Sequence, residues 1–137
     1  FGFDPKVAFV SHSTFGQPVT SRTKHIKKAV DILKEKNVDF EFDGDMQPDV
    51  ALNKEYKNLY PFSNIVGNAN ILIMPGQHSA AISYKMMKEL GDTKVIGPLL
   101  IGLGLPIEIA PLRTSTSELI NLASIAAYSA DVIDYKK

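Results

Sequence analysis

Asn70–Pro106, NILIMPGQHSAAISYKMMKELGDTKVIGPLLIGLGLP, is the stretch whose reading decides the fold. Ile71-Leu72-Ile73-Met74 is a wholly apolar run stopped by Pro75-Gly76, the pattern of a strand buried on both faces. From Ser79 the period changes: Ile82, Met86 and Leu90 share one helical stripe, which Ala80, Ala81, Tyr84 and Met87 widen. Gly91 is expected to end that helix in the left-handed conformation. Val95-Ile96 opens a second apolar strand, broken by Gly97-Pro98 and followed by the glycine-spaced Leu99–Gly104. Strand, helix and strand in so short a span make a βαβ unit. Its loops, Pro75–Ser79 and Gly97–Gly104, are the natural places for a ligand.

Working outward, Lys6–Val10 reads as the first strand and empties into the hydroxyl-rich loop Ser11-His12-Ser13-Thr14-Phe15-Gly16. Thr23–Lys36 is an amphipathic helix with Ile26, Val30 and Leu33 buried and five lysines outward, capped by Asn37. Val38, Phe40 and Phe42 alternate with acidic residues as a half-exposed strand near a sheet edge. Pro48 starts a helix expected to reach Tyr60, where Pro61 stops it. Pro106–Ala110 is a further short strand. Ser115 and Glu118 have capping-box spacing, and the helix they open is apolar nearly all round, while the polar tail Asp131–Lys137 is expected to fray. The alternation predicts one α/β domain over residues 1–137, a mostly parallel sheet flanked by helices.

Fifteen basic and fifteen acidic residues cancel, so no global field draws in nucleic acid or a membrane surface. With no cysteine there is no disulfide framework, thiolate metal site or cysteine nucleophile, which fits a cytoplasmic location. No apolar run approaches the roughly 20 residues of a membrane helix. The chain begins with Phe1 and reads as the C-terminal piece of a longer one.

Few residues announce chemistry. His12, His25 and His78 lack the spacing of a metal pair, and Asp43-Gly44-Asp45 reads more simply as a turn with solvated carboxylates than as a cation site. Ser11, Ser13 and Thr14 follow a strand, and Ser79 precedes a helix whose first N–H groups lack internal partners. Such groups suit phosphate or carboxylate oxygens. The plainer alternative is that Ser79 caps its helix and Ser13 stiffens a turn.

Five stretches in order, Lys6–Gly16, Asp43–Asn53, Tyr60–Pro75, Ala81–Gly91 and Val95–Ile109, resemble the phosphate acetyltransferase family along nearly the whole chain. Phe15-Gly16, Met46-Gln47 and Pro61-Phe62-Ser63 look more like the phosphotransacetylase-like C-terminal region of large bacterial malic enzymes. The resemblance implies an isocitrate/isopropylmalate dehydrogenase-like fold, of which this chain is one lobe of a two-lobed domain plus elements that cross back. It also implies a reaction between acetyl phosphate and coenzyme A, supported by a Ser-Arg pair and an acidic residue a turn later. Those positions here are Pro111, Leu112 and Glu118, with Arg113 one residue beyond as the remaining guanidinium. Gly76 and Ala81 replace the family's Asp and Asn, while Ser11, Ser13, Thr14, Tyr84 and Lys85 match.

The expectation is therefore a non-catalytic region with neither cofactor nor metal, regulating a malic enzyme through acetyl-CoA bound at Ser11, Ser13, Thr14, Ser79 or Arg113. The absent N-terminal part of the parent would convert malate to pyruvate with NADP or NAD and Mg or Mn. Self-association, as a dimer or larger, is expected from the apolar helices. The alternatives are an active phosphate acetyltransferase fragment and a purely structural assembly module.

Overall fold

The computed structural model describes residues 2–91 and 93–134. Two compact units divide the chain, Phe1–Ser83 and Tyr84–Lys137. The first is built on a parallel sheet of order β2-β1-β3, from β1 (Lys6–Val10), β2 (Glu41–Met46) and β3 (Ile71–Ile73). Helix α1 (Ser21–Glu35) packs along β2, and α2 (Pro48–Leu52) packs on β1 beside α3 (Lys54–Lys57). Ala8, Val10, Met46, Val50, Ala51, Ile65 and Ala69 form the core, which Phe15, Tyr60, Leu72 and Met74 extend. An α/β architecture with a small parallel sheet flanked by helices is thus present, and β2 lies at an edge.

Local chemistry explains several boundaries. Helix α1 starts at Ser21, two residues before the expected Thr23, because Thr20 and Thr23 cap each other reciprocally. The Thr23 amide donates to Thr20 Oγ1 at 3.2 Å, and the Thr20 amide donates to Thr23 Oγ1 at 2.8 Å. Past the other end, Asn37 takes φ 47°, the left-handed conformation asparagine tolerates. The helix expected from Pro48 to Tyr60 is split, because Asn53 Oδ1 accepts from the Glu55 amide at 2.9 Å and starts α3.

Further expectations are corrected. Strand β3, the other edge of the sheet, is not buried on both faces: Ile71 and Ile73, which share one face, keep 40% and 42% of their surface exposed. Helix α4 begins at Gln77, runs to Leu90, and buries no residue. Val95-Ile96 forms no strand, and Pro106–Ala110 contributes only the antiparallel bridge Leu99↔Glu108, so the second half of the βαβ unit is missing among the described residues. Gly91 is not left-handed; a Cβ there would lie 2.9 Å from the Met87 carbonyl oxygen, so its size is what matters.

In the second unit, α5 runs from Thr116 to Asp134, so the polar tail begins as helix and residues 135–137 lie outside the described residues. The expected capping box is present. Glu118 Oε2 accepts from the Ser115 amide at 2.7 Å and from Ser115 Oγ at 2.9 Å, while the Glu118 amide donates back to Ser115 Oγ at 3.3 Å.

Asp43 and Asp45 are not a solvated turn. They lie inside β2, 5% and 3% exposed. Asp43 accepts from the Gly44 and Asn64 amides at 2.9 and 2.7 Å. Asp45 accepts from Ser13 Oγ, from the Gly16 amide at 3.0 Å and, at 3.5 Å, from Ser11 Oγ. Gly44 between them has φ +152°, and a Cβ there would come within 2.7 Å of Phe9 Cβ and Phe9 O, so only glycine fits.

Two predictions follow from this wiring. Asp45→Ala strands a buried hydroxyl and a buried amide, and denaturant unfolding should show a loss of about 3 kcal/mol, with Asp45→Asn milder. Glu118 is held down at about 2, first by the Ser115 amide and then by Lys88 and the Ser115 hydroxyl. Its folded value lies below the ordinary 4.5, so its stabilising contribution is full above that pH and fades as pH falls toward 2. Thermal unfolding between pH 7 and pH 3 should therefore fall less steeply for Glu118→Gln than for the unmodified protein.

Candidate functional site

The sheet order places a topological switch at β1. The chain leaves β1 toward β2 on one side and returns as β3 on the other. Open parallel sheets bind ligands outside the carboxyl ends of strands at such a point. Val7, Ala8 and Phe9 pair with Ile71, Leu72 and Ile73, so the loop after β1, with Ser11, Ser13 and Thr14, emerges beside the loop leading to Ser79. The topology therefore brings these four residues to one sheet edge.

Their hydroxyls, however, are engaged within the protein. Ser11, Ser13 and Thr14 are 8%, 0% and 6% exposed. Ser11 and Ser13 donate to Asp45, and Thr14 Oγ1 accepts from the Gln47 amide at 3.1 Å. Gln47 Nε2 closes the loop by donating to the His12 carbonyl at 3.0 Å. Ser79 stands in the first turn of α4, and its Oγ donates to the Gly76 carbonyl at 2.7 Å. A carboxylate behind the serines also opposes an incoming anion. The loop amides are engaged as well: those of Ser11, Ser13, Thr14, Phe15, Gly16 and Gln17 all bond within the protein.

Arg113 lies in the second unit, on the wall of a cavity of about 420 Å³. Tyr84, Lys85, Lys88 and Glu89 from α4, Val95-Ile96-Gly97, Pro111, Thr114 and the start of α5 line the rest. Lys88 Nζ bonds Glu118 Oε1 at 2.9 Å, which raises the lysine above its ordinary value and closes one charge pair across the wall. Arg113 and Lys85 have no ion-pair partner among the described residues. Leu112 is fully exposed and does not line the cavity; Pro111 does. The arrangement is an apolar pocket with two free cations, Arg113 and Lys85, and one free carboxylate, Glu89, which can take an amphipathic ligand.

Sequence reading picked out Arg113, Tyr84 and Lys85 separately, and the fold brings all three onto this wall with Glu118. It missed Asp45, whose partners are 29 to 34 residues away in the chain. The available signal was parity: Asp43 and Asp45 alternate with Phe42 and Gly44 in a run that is otherwise strand-like. Among the described residues no group of three His, Asp or Glu is placed to hold a metal, and no helix is long and apolar enough to cross a membrane.

Residues 1–127 match the family model described as phosphate acetyl/butaryl transferase. The chain is 50% identical over 129 residues to the NADP-dependent malic enzyme of Rhizobium meliloti, covering 94% of this chain and 17% of that protein. It is 34% identical over 128 residues to the phosphate acetyltransferase of Clostridium acetobutylicum, covering 93% of this chain and 38% of that one. Among solved structures it superposes on the EutD phosphotransacetylase from Staphylococcus aureus with a TM-score of 0.84 and 30% identity, over 94% of this chain and 41% of that one. It therefore spans less than half the length of each of these relatives. The chain belongs to the phosphate acetyl/butaryl transferase family.

Proposed function

We propose that this chain is the phosphotransacetylase-like region of an NADP-dependent malic enzyme, that it has lost transacetylase chemistry, and that it binds acetyl-CoA as a regulatory ligand. The observation that carries this reading is Pro111-Leu112 standing where the family's Ser-Arg pair is expected. Neither side chain can donate a hydrogen bond to a phosphate or a developing thiolate. Glu118 keeps the acidic position but is held at about 2 by Ser115 and Lys88, far from the value near 7 that a general base needs. The 50% identity to a malic enzyme favours that parent over a free-standing phosphate acetyltransferase. The parent's oxidative decarboxylation of malate to pyruvate, with NADP or NAD and Mg or Mn, would reside in the rest of a cytoplasmic chain. An isocitrate/isopropylmalate dehydrogenase-like two-lobed fold is part of the same proposal.

Because the hydroxyls at the β1–β3 edge are committed internally, the ligand's anionic part belongs on Arg113 and Lys85 in the second-unit cavity. The test pairs two measurements on the full-length protein. Acetyl phosphate plus coenzyme A should give no turnover above background; turnover would restore the active-enzyme reading. Calorimetric titration with acetyl-CoA should show affinity falling about tenfold in Arg113→Ala, by loss of one charge-assisted contact. Absence of any binding would favour a purely structural assembly module, and unchanged affinity would remove Arg113 from the site.

Self-association completes the proposal. On α4, Ile82, Met86, Met87 and Leu90 are 59%, 54%, 59% and 82% exposed, a stripe of apolar surface that a soluble monomer seldom leaves bare. A twofold pairing would hide the same stripe on both copies, and methionines adapt to such a neighbour. Light scattering of the 137-residue chain at tens of micromolar should give a dimer mass that drops to monomer in the Met86→Lys/Met87→Lys variant. A monomer mass without substitution would contradict self-association, and a dimer surviving both lysines would move it off α4.

A further inference from the structure

A separate cavity, of about 280 Å³, lies wholly within the second unit. Nothing in the acetyl-CoA reading uses it. Its position follows from one short pairing. Leu99 and Glu108 meet as an antiparallel bridge, so the chain between them closes into a loop with Glu108 at its base. Leu100, Ile101, Leu103 and Leu105 of that loop line the cavity, and α5 adds Tyr128. All five are large apolar side chains left exposed, and a cluster of this kind marks a binding surface where scattered single residues would not.

Among these apolar groups stands one charge. Glu108 is the only charged residue on the cavity, and it has no ion-pair partner among the described residues. Its Oε2 is shut off from solvent and receives no hydrogen bond. Glu118, in the same unit, has both oxygens answered by Lys88 and Ser115. Glu108 has no such donors at Oε2, and a carboxylate in that state is costly until a counter-charge comes near it. The cavity's one charge therefore repels phosphates and carboxylates and draws cations.

A metal ion does not suit the place, because one carboxylate among aliphatic side chains falls short of the four or more ligands that protein-bound metals take. An organic ammonium needs only the one opposite charge, and its carbon body gains from the apolar lining. At about 30 Å³ per non-hydrogen atom, the share of a water molecule in the liquid, there is room for about nine such atoms. We infer that this cavity binds a small organic monocation, an ammonium group on a compact apolar body, with the charge beside Glu108 and the body against Leu100–Leu105. The cavity shares no lining residue with the one that holds Arg113.

Ligand-observed NMR titration of the full-length protein tests this with 2-phenylethylammonium, which is of this size, and with 2-phenylethanol as its neutral counterpart. The ammonium should saturate in the millimolar range or below. It should bind about tenfold or more tightly than the alcohol, the difference that a contact with a charged group makes. Glu108→Gln keeps the shape and removes the charge. It should cancel the preference for the ammonium while the melting temperature holds or rises, because the unanswered charge has gone. Leu105→Lys, at an exposed position, should weaken the ammonium about fivefold by like-charge repulsion and the alcohol less. Arg113→Ala should change neither, which separates this site from the acetyl-CoA proposal. Absence of saturation at tens of millimolar overturns the inference. So does alcohol that binds as tightly as the ammonium, or an ammonium preference that survives Glu108→Gln. Should that variant fail to fold, Leu105→Lys decides, and an unchanged preference there overturns the inference as well.

Discussion

A carboxylate with 3% of its surface exposed must have its charge answered by nearby donors, and Asp45 recruits them from the loop that follows the central strand. Ser13 Oγ and the Gly16 amide bind its two oxygens, and the Phe15 amide bonds the Asp45 carbonyl at 2.6 Å. Ser11, on the same loop, bonds the backbone of Met46 at 2.9 Å. The end of β1 and the end of β2 are thereby sewn together, where Gly44 lets β2 approach Phe9 without a clash. Everything downstream inherits this constraint. The Phe15 ring is set beside Tyr60 and Phe62, Thr14 receives the Gln47 amide that leads into α2, and the β1 side of the switch point is fixed.

The same constraint redistributes function. A hydroxyl loop at the carboxyl end of a parallel strand would ordinarily present donors to a phosphate. Here the donors face inward to a carboxylate, and free cationic side chains must be sought elsewhere. Arg113 and Lys85 on the second-unit cavity are two of them. The Lys88–Glu118 pair leaves neither oxygen of Glu118 free. One oxygen binds Lys88 and the other caps α5, so Glu118 ties the last turns of α4 to the start of α5. Both contacts favour the ionised form and hold the carboxyl well below its ordinary value.

Much of the fold was legible because its signals are local. Lys6–Val10 is a strand by composition, and the Ser115–Glu118 box and Asn37 mark helix ends by short-range hydrogen bonding. The break at Asn53 was equally local but weighs an asparagine cap against helix continuation, a contest that pattern alone does not decide. Burial of β3 was misjudged because an apolar strand looks the same at a sheet's edge and at its centre. The expected strand at Val95-Ile96 failed for a related reason, since a strand requires a neighbour that the strand's own residues do not specify. The roles of Ser11, Ser13 and Thr14 depended on Asp45 and Gln47, about 30 residues away, and became visible only once β1 and β2 were paired.

The central claim is that an acyl-CoA ligand is held by the Arg113 cavity rather than by the hydroxyl loop. Hydrogen–deuterium exchange of the full-length protein, with and without acetyl-CoA, addresses it directly because it reports every segment at once. The account predicts slowed exchange in the last turns of α4 and from Pro111 through the first turns of α5, with Ser11–Gln17 unchanged because its amides are already protected by Asp45 and its neighbours. Protection appearing at Ser11–Gln17 and the start of α4, with none around Arg113, would contradict it.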